Sequence, residues 1–364
     1  VIRTIYGSGY RFDAPVQANV GQGNDCAPPL ANDFPSPQAL GHFVEGLVQI
    51  RHRNPRQLSR AERHFRQCLK AHPNFPPALL QLAASLLAQY QWGFLSASAI
   101  EVEVEELLRH LEILTVMREE VLALRLEVLS LLNWQPRLAD QRFAAWLPEQ
   151  LPAGAPRHSW VRHLLACGRP AEALTWLEPE LTSDSPTGWL LAAMAHLQLG
   201  EEEEAISRLR SQLRLDPSLA ASRWLLAFSL ARTGRGVEAL QCMNPLGAES
   251  SEKDSTPEAA NALLLALCGE RDRAAQQLSA ALRTPQGNLT TITLWGFVAL
   301  SLGEEGSASR LLERAVQTRC GLAPFLWSWS LLPGQLEESQ ALQEFQSRMQ
   351  RRFSAMDRDA TPPH

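Results

Sequence analysis

Five glycines, Gly168, Gly200, Gly234, Gly269 and Gly303, recur at intervals of 32, 34, 35 and 34 residues. Five residues after each stands an alanine: Ala173, Ala205, Ala239, Ala274 and Ala308. Four further on comes a bulky apolar residue: Leu177, Leu209, Met243, Leu278 or Leu312. Seven residues before each glycine sits Val161, Ala193, Ala227, Ala262 or Gly296, small in four of the five. A beat of this length fits a helical hairpin. The glycine ends the first helix by taking a left-handed conformation. The alanine lies where the second helix crosses the first at close range, and the larger residue one turn later fills the gap between neighbouring hairpins. One such unit cannot bury its apolar face alone, so the units must stack into a superhelix. A generic helical bundle would have to produce five coincident glycine–alanine pairs by chance.

Composition agrees. The 364 residues include 60 Leu against 14 Val and 7 Ile, and leucine favours helices where β-branched residues favour strands. The expected fold class is all-α, a right-handed superhelical array of seven to eight hairpins, preceded by one short β-hairpin. Upstream of the regular beat, Ala61, Phe65, Cys68 and Pro73 keep the second-helix spacing. Helices are expected over Ala39–Arg53, Pro76–Trp92, Ala99–Leu114, Glu119–Leu132 and Leu138–Leu147, with a final one over Glu337–Phe353. The expected organisation is a hairpin over 1–12, a Pro-, Gly- and Asn-rich linker over 13–37, repeats over 38–353, and a frayed tail over 354–364.

The formal net charge of −5 excludes coating nucleic acid through bulk positive charge. The six cysteines are scattered, none in a C-x-x-C pair, and read as reduced thiols of a cytoplasmic protein. There is no apolar run long enough for a membrane span and no leader pattern. Val1 opens the chain and the first methionine is Met117, as in the remainder of something longer.

The first twelve residues, VIRTIYGSGYRF, gather β-branched and aromatic residues around Gly7-Ser8-Gly9, the pattern of two short strands and a tight turn. An isolated hairpin is not stable in water, so it implies a body elsewhere to pack on. The string Arg3 to Phe12 resembles the C-terminal wing of OmpR/PhoB-type winged-helix DNA-binding domains, which ends in T-[VI]-x-G-x-G-Y-[RV]-F. That resemblance implies DNA-backbone contacts at Thr4, Ser8 and Tyr10. Tyr6 stands where some members carry a groove-inserting arginine, so minor-groove readout is not implied here. The recognition helix is absent, and base specificity is therefore not legible.

The 34-residue beat resembles the tetratricopeptide repeat, best in the unit from Trp189, where Gly200, Ala205, Leu209 and Pro217 fall at the family offsets. Wing, linker and array together look like the HilA-like bacterial transcription regulators, with Phe43–Phe65, Ala78–Ala88 and Gln91-Trp92-Gly93 similar to that group's first repeats. The resemblance implies a DNA-binding regulator whose repeats bind protein or receive a signal, with DNA and a protein partner, or a second copy, as expected ligands. The alternative is an interaction scaffold with no DNA-binding role.

No P-loop, H-E-x-x-H, G-x-S-x-G or paired-cysteine metal motif occurs, so no enzyme, metal or cofactor is expected. His64 with His72, and His158 with His163, lack ligand spacing and read as surface or groove histidines. Glu201–Glu204 reads as a solvated charge at a helix start, and Glu101, Glu105 and Glu106 as a polar face. Arg51, His52, Arg53, Arg56, Arg60, Arg63 and Arg66 form either an ordinary exposed face or a patch for phosphate or an acidic partner. Repeat arrays bind in the groove lined by first helices, where tryptophan makes a good anchor. Trp160, Trp189, Trp224, Trp295, Trp327 and Trp329 lie in or near such helices. The offsets place Trp189 in the core. They turn Trp224 toward the groove and put Thr187, Leu190, Met194 and Gln198 along it. Met194 and Trp224 are the expected partner-binding residues.

Overall fold

The structure, a computed structural model, describes residues 2–5, 9–12, 35–50, 55–144, 154–181, 185–217, 219–243, 258–283, 292–328 and 338–353. Strands β1 (Ile2–Ile5) and β2 (Gly9–Phe12) pair antiparallel, with Thr4 opposite Tyr10 and Arg3 opposite Arg11. The expected hairpin is there. Its turn, with Tyr6 and Ser8, and the expected linker and C-terminal tail lie outside the described residues.

All other described elements are helical. Pairs of helices follow one another as α1 (Pro37–Ile50) with α2 (Pro55–Ala71), α3 (Pro76–Gln91) with α4 (Ala97–Leu114), and α5 (Arg118–Glu127) with α6 (Pro136–Ala144). Next come α7 (Ala155–Ala166) with α8 (Pro170–Leu181), α9 (Pro186–Leu199) with α10 (Glu202–Leu215), and α11 (Ala220–Arg232) with α12 (Gly236–Met243). The series ends with α13 (Glu258–Leu267) and α14 (Arg271–Arg283), α15 (Ile292–Leu302) and α16 (Glu305–Gln317), a short α17 (Ala323–Leu326) and α18 (Gln340–Phe353).

The helix boundaries have local causes. Proline opens α1, α2, α3, α6, α8 and α9, where its missing N–H costs nothing and its fixed φ suits the first turn. Ser36 Oγ accepts from the Ala39 N–H at 3.2 Å, so α1 starts two residues before the expected Ala39; Ser339 does the same for α18 through Leu342. The expected helix Glu119–Leu132 is α5 running directly into a π-turn at Val128–Leu132. No spacing rule in the sequence announces that turn.

At the C-terminal ends the repeated glycines behave as the beat requires. Gly168, Gly200, Gly234, Gly269 and Gly303 have φ between 69° and 87°. In each case the next residue's N–H reaches back to the carbonyl five residues earlier, as with Glu201 to His196 at 2.9 Å and Arg235 to Leu230 at 2.8 Å. This is the Schellman cap. The five following alanines are all fully buried, and so are Leu177, Leu209, Leu278 and Leu312; Met243 is half-buried. At Gly296 a Cβ would sit 2.6 Å from Leu312 Cδ2, and at Gly46 it would sit 2.4 Å from the Phe65 ring. Both glycines exist to let two helices of a hairpin touch.

Among the described residues two large apolar clusters form, one spanning residues 39–132 and the other 126–353, which meet at α5 and its π-turn, and a small third one gathers Leu265, Ala266 and Ala274. In α15 every residue from Ile292 to Ser301 is buried. A helix apolar on all sides must be covered on all sides, so α15 is enclosed, whereas on α1 Leu40, Val44 and Val48 stay exposed.

Candidate interaction face

Of the expected groove positions one is buried and four are half-buried. On α9, Leu190 is buried, while Thr187, Met194 and Gln198 are half-buried. Met194 packs against the main cluster. Trp224 on α11 is half-buried too; its ring stacks on Phe228 with centroids 5.4 Å apart, and its buried indole N–H has no hydrogen-bond partner among the described residues. Both helices pack on α10. Trp189, expected in the core, is instead half-buried. Trp160 and Trp295 are core residues at 3% and 7% exposure, and Trp329 lies outside the described residues. The sequence offsets ranked these rings by repeat position, but burial depends on what crosses over the first helices.

What crosses is the chain's own C-terminal part. After α16, residues 319–328 run along the C-terminal ends of α3, the π-turn, α7 and α9. Arg319 pairs with Glu101 at 2.6 Å and donates to the Leu132 carbonyl at 3.2 Å. Tyr90 Oη, which accepts from Trp134 Nε1, lies 2.7 Å from the Arg319 carbonyl and 2.8 Å from that of Leu131. Trp327 Nε1 donates to the Ala166 carbonyl at 2.8 Å. Glu101, on the expected polar face, is thus a partner of Arg319.

Beneath this seam lie two polar networks. The Glu127 carboxylate, 3% exposed, accepts from Ser159 Oγ at 2.5 Å, from Gln91 Nε2 at 2.7 Å and from Arg162. Burial works to raise its pKa, but the Arg162 charge and these hydrogen bonds outweigh that and hold the carboxyl below the usual carboxylate range. The second network joins Ser130 Oγ to His163 Nδ1 at 2.7 Å and His163 Nε2 to Asp140 at 3.0 Å, with Arg169 also on Asp140 at 3.0 Å. Burial opposes ionisation of Asp140, and the His163 and Arg169 contacts overcome it, so this carboxyl also titrates low. Serine, histidine and aspartate in a row invite a hydrolase reading, but Ser130 and His163 are fully buried. A nucleophile without solvent access cannot meet a substrate; the network is structural.

The expectation of surface or groove histidines fails for His158 and His163, which are 3% and 0% exposed. α7 sits between α5, α8 and α9, so both its faces are covered. Among the described residues no His/Cys/Asp/Glu group could hold a metal. The described cysteines are free thiols, and burial pushes Cys167 up. Among the described residues no helix is long and apolar enough to cross a membrane.

In the first hairpin Arg56 and Arg63 are exposed and Arg60 is half-buried. Arg66 leaves the expected patch, since it is held by Glu62 at 3.0 Å and by Glu103. Arg51, His52 and Arg53 lie outside the described residues. At the expected cap Glu201, Glu203 and Glu204 are exposed, and ion pairs join Glu201 to His196 at 2.6 Å, Glu202 to Arg232 at 2.6 Å and Glu204 to Arg208 at 3.0 Å.

No protein-family model matches this chain, and no curated protein does. Among solved structures the chain is similar to the crystal structure of the P58(IPK) TPR domain, with 16% identity over 86% of this chain and 98% of that one, at a TM-score of 0.21. The fold assignment rests on the hairpins themselves: a tetratricopeptide-like helical array.

Proposed function

We propose that this chain is a protein-interaction scaffold built from tetratricopeptide-like hairpins. The observation that supports it is the stacked array itself, whose two large apolar clusters meet at α5 and its π-turn. Met194 and Trp224 are the proposed contact residues, each half-buried on a first helix. Trp224→Ala should weaken binding of the cognate partner about tenfold, roughly 1.4 kcal/mol. Because the ring also stacks on Phe228, the variant loses some stability. Met243→Ala, also at a half-buried core-edge site, serves as the control, with titration calorimetry run well below the melting temperature. Equal affinity of the two variants would remove Trp224 from the interface.

A second reading is favoured by the β1–β2 pair: the hairpin is the wing of an OmpR/PhoB-type domain, the protein is a DNA-binding regulator of the HilA-like kind, and the array is its partner- or signal-receiving part. Thr4, Ser8 and Tyr10 would approach the DNA backbone, with Thr4 and Tyr10 facing each other across the ladder. In the full-length protein, neutralising Arg56, Arg60 and Arg63 should flatten the salt dependence of operator binding by up to about three units of slope if they rest on phosphate. An unchanged slope would assign them to an ordinary exposed face.

A further inference from the structure

We propose that α1 is a self-association face, through which two copies of this chain pair about a two-fold axis. Leu40, Val44 and Val48, four residues apart on α1, stay 39%, 52% and 48% exposed. Residues at this spacing form one ridge along a helix. No other described helix exposes more than two large apolar side chains. Scattered ones are ordinary on a protein surface; a ridge of three is not. The first hairpin does not itself use this ridge. Ala39, Phe43 and Gly46 form the buried side of α1, with Gly46 against the Phe65 ring of α2. The ridge lies roughly a third of a turn away from that line.

Gly41, beside the ridge, is an independent observation. Glycine weakens a helix interior, and α1 contains two. Gly46 is required, since a Cβ there would collide with Phe65. At Gly41 a Cβ would meet nothing within 4 Å, so this chain's own packing does not explain it. The close approach of another helix does. In an antiparallel pair with its axis between residues 42 and 43, Val44 of each copy sits over Gly41 of the other, and Val48 over Pro37. Charge favours the same occupant. Glu45 is the one Asp, Glu, Lys or Arg on α1, so the face selects no charged partner and does not repel its own copy. The hairpin's surface cations, Arg56, Arg60, Arg63 and Lys70, lie on the side of α2 opposite Phe65, which faces Phe43 of α1, and so stay clear of the pair. Pro37, Leu40, Gly41, Val44, Glu45 and Val48 are the exposed residues of the face, few against the roughly 20–30 a side of a standard stable interface. The pair is therefore weak and reversible, with a Kd on the order of 100 µM.

The pairing depends on neither functional reading above, and Met194 and Trp224 take no part in it. Sedimentation equilibrium of the full chain, up to about 500 µM, tests it. The parent's mass should rise with concentration from 40.4 kDa toward twice that value. Val44→Glu, which sets a charge over the second copy's Gly41, should weaken association at least tenfold. Gly41→Leu should do the same by filling the dent, and it meets no atom of its own chain. Val102→Glu, at a lone apolar side chain on α4 that is 70% exposed, should leave association unchanged. Circular dichroism of each variant shows that the helices are intact; if Val44→Glu does not fold, Gly41→Leu decides. A parent that stays monomeric throughout, association that survives the substitution at Val44 or at Gly41, or equal weakening by Val102→Glu would overturn the proposal.

Discussion

Replacing Glu127 with alanine should destabilise the array by about 3–5 kcal/mol, the usual cost of breaking a buried ion pair by removing one partner. Glu127 closes α5, and its carboxylate is the common acceptor for three donors on two helices: Gln91 on α3, and Ser159 and Arg162 on α7. Without it, the buried Ser159 hydroxyl and the largely covered Arg162 guanidinium lose their acceptor. The loss falls where the two apolar clusters meet, so it should uncouple the N-terminal hairpins from the rest, and urea melts should broaden or split. The pH dependence has a definite sign. The folded carboxyl titrates below its unfolded value of about 4.5, so its contribution is present above that pH and is lost as pH falls through the depressed folded value. The difference between parent and variant should therefore shrink on acidification. A pH-7 difference below about 1 kcal/mol would show that the network contributes no net stability.

Leu209→Ala should cost about 2–5 kcal/mol, whereas Met243→Ala, at the same place in the next repeat, should cost only about 1 kcal/mol. Leu209 is fully buried between hairpins, so truncation leaves a cavity that stacked helices cannot close without shifting the whole array. Met243 is half-buried at the last residue of α12, where solvent replaces the lost contacts. Chemical denaturation of the two variants side by side checks this. Equal losses would mean that the interval pattern does not report local packing.

The contrast shows what a repeating pattern can and cannot say. Position in the beat located the caps, the close crossings and the gap-filling residues, because each is decided within one hairpin or between a hairpin and the next. It could not rank repeats by burial, which depends on how completely the next unit covers them. It also misplaced the aromatics. Trp224 at its groove offset is half-buried and stacked on Phe228, and Trp160 and Trp295 are enclosed by the helices packed around them. The histidines failed for the same reason: His163 has a core position because α7 is packed on both sides. A faint signal was available in the uniformly apolar α15, since a helix without a polar face cannot line an open groove.

Local chemistry written in the sequence determined that this chain forms paired helices with glycine caps and a short strand pair at its start. Backbone conformation at a cap, and the size of a side chain at a crossing, are short-range matters that spacing alone reveals. Only the tertiary structure decided that the array closes upon itself. Arg319 meets Glu101 across 218 residues and Trp327 meets Ala166 across 161. Those contacts exist because small turns between successive hairpins accumulate until distant ends are neighbours, and no local pattern encodes that sum.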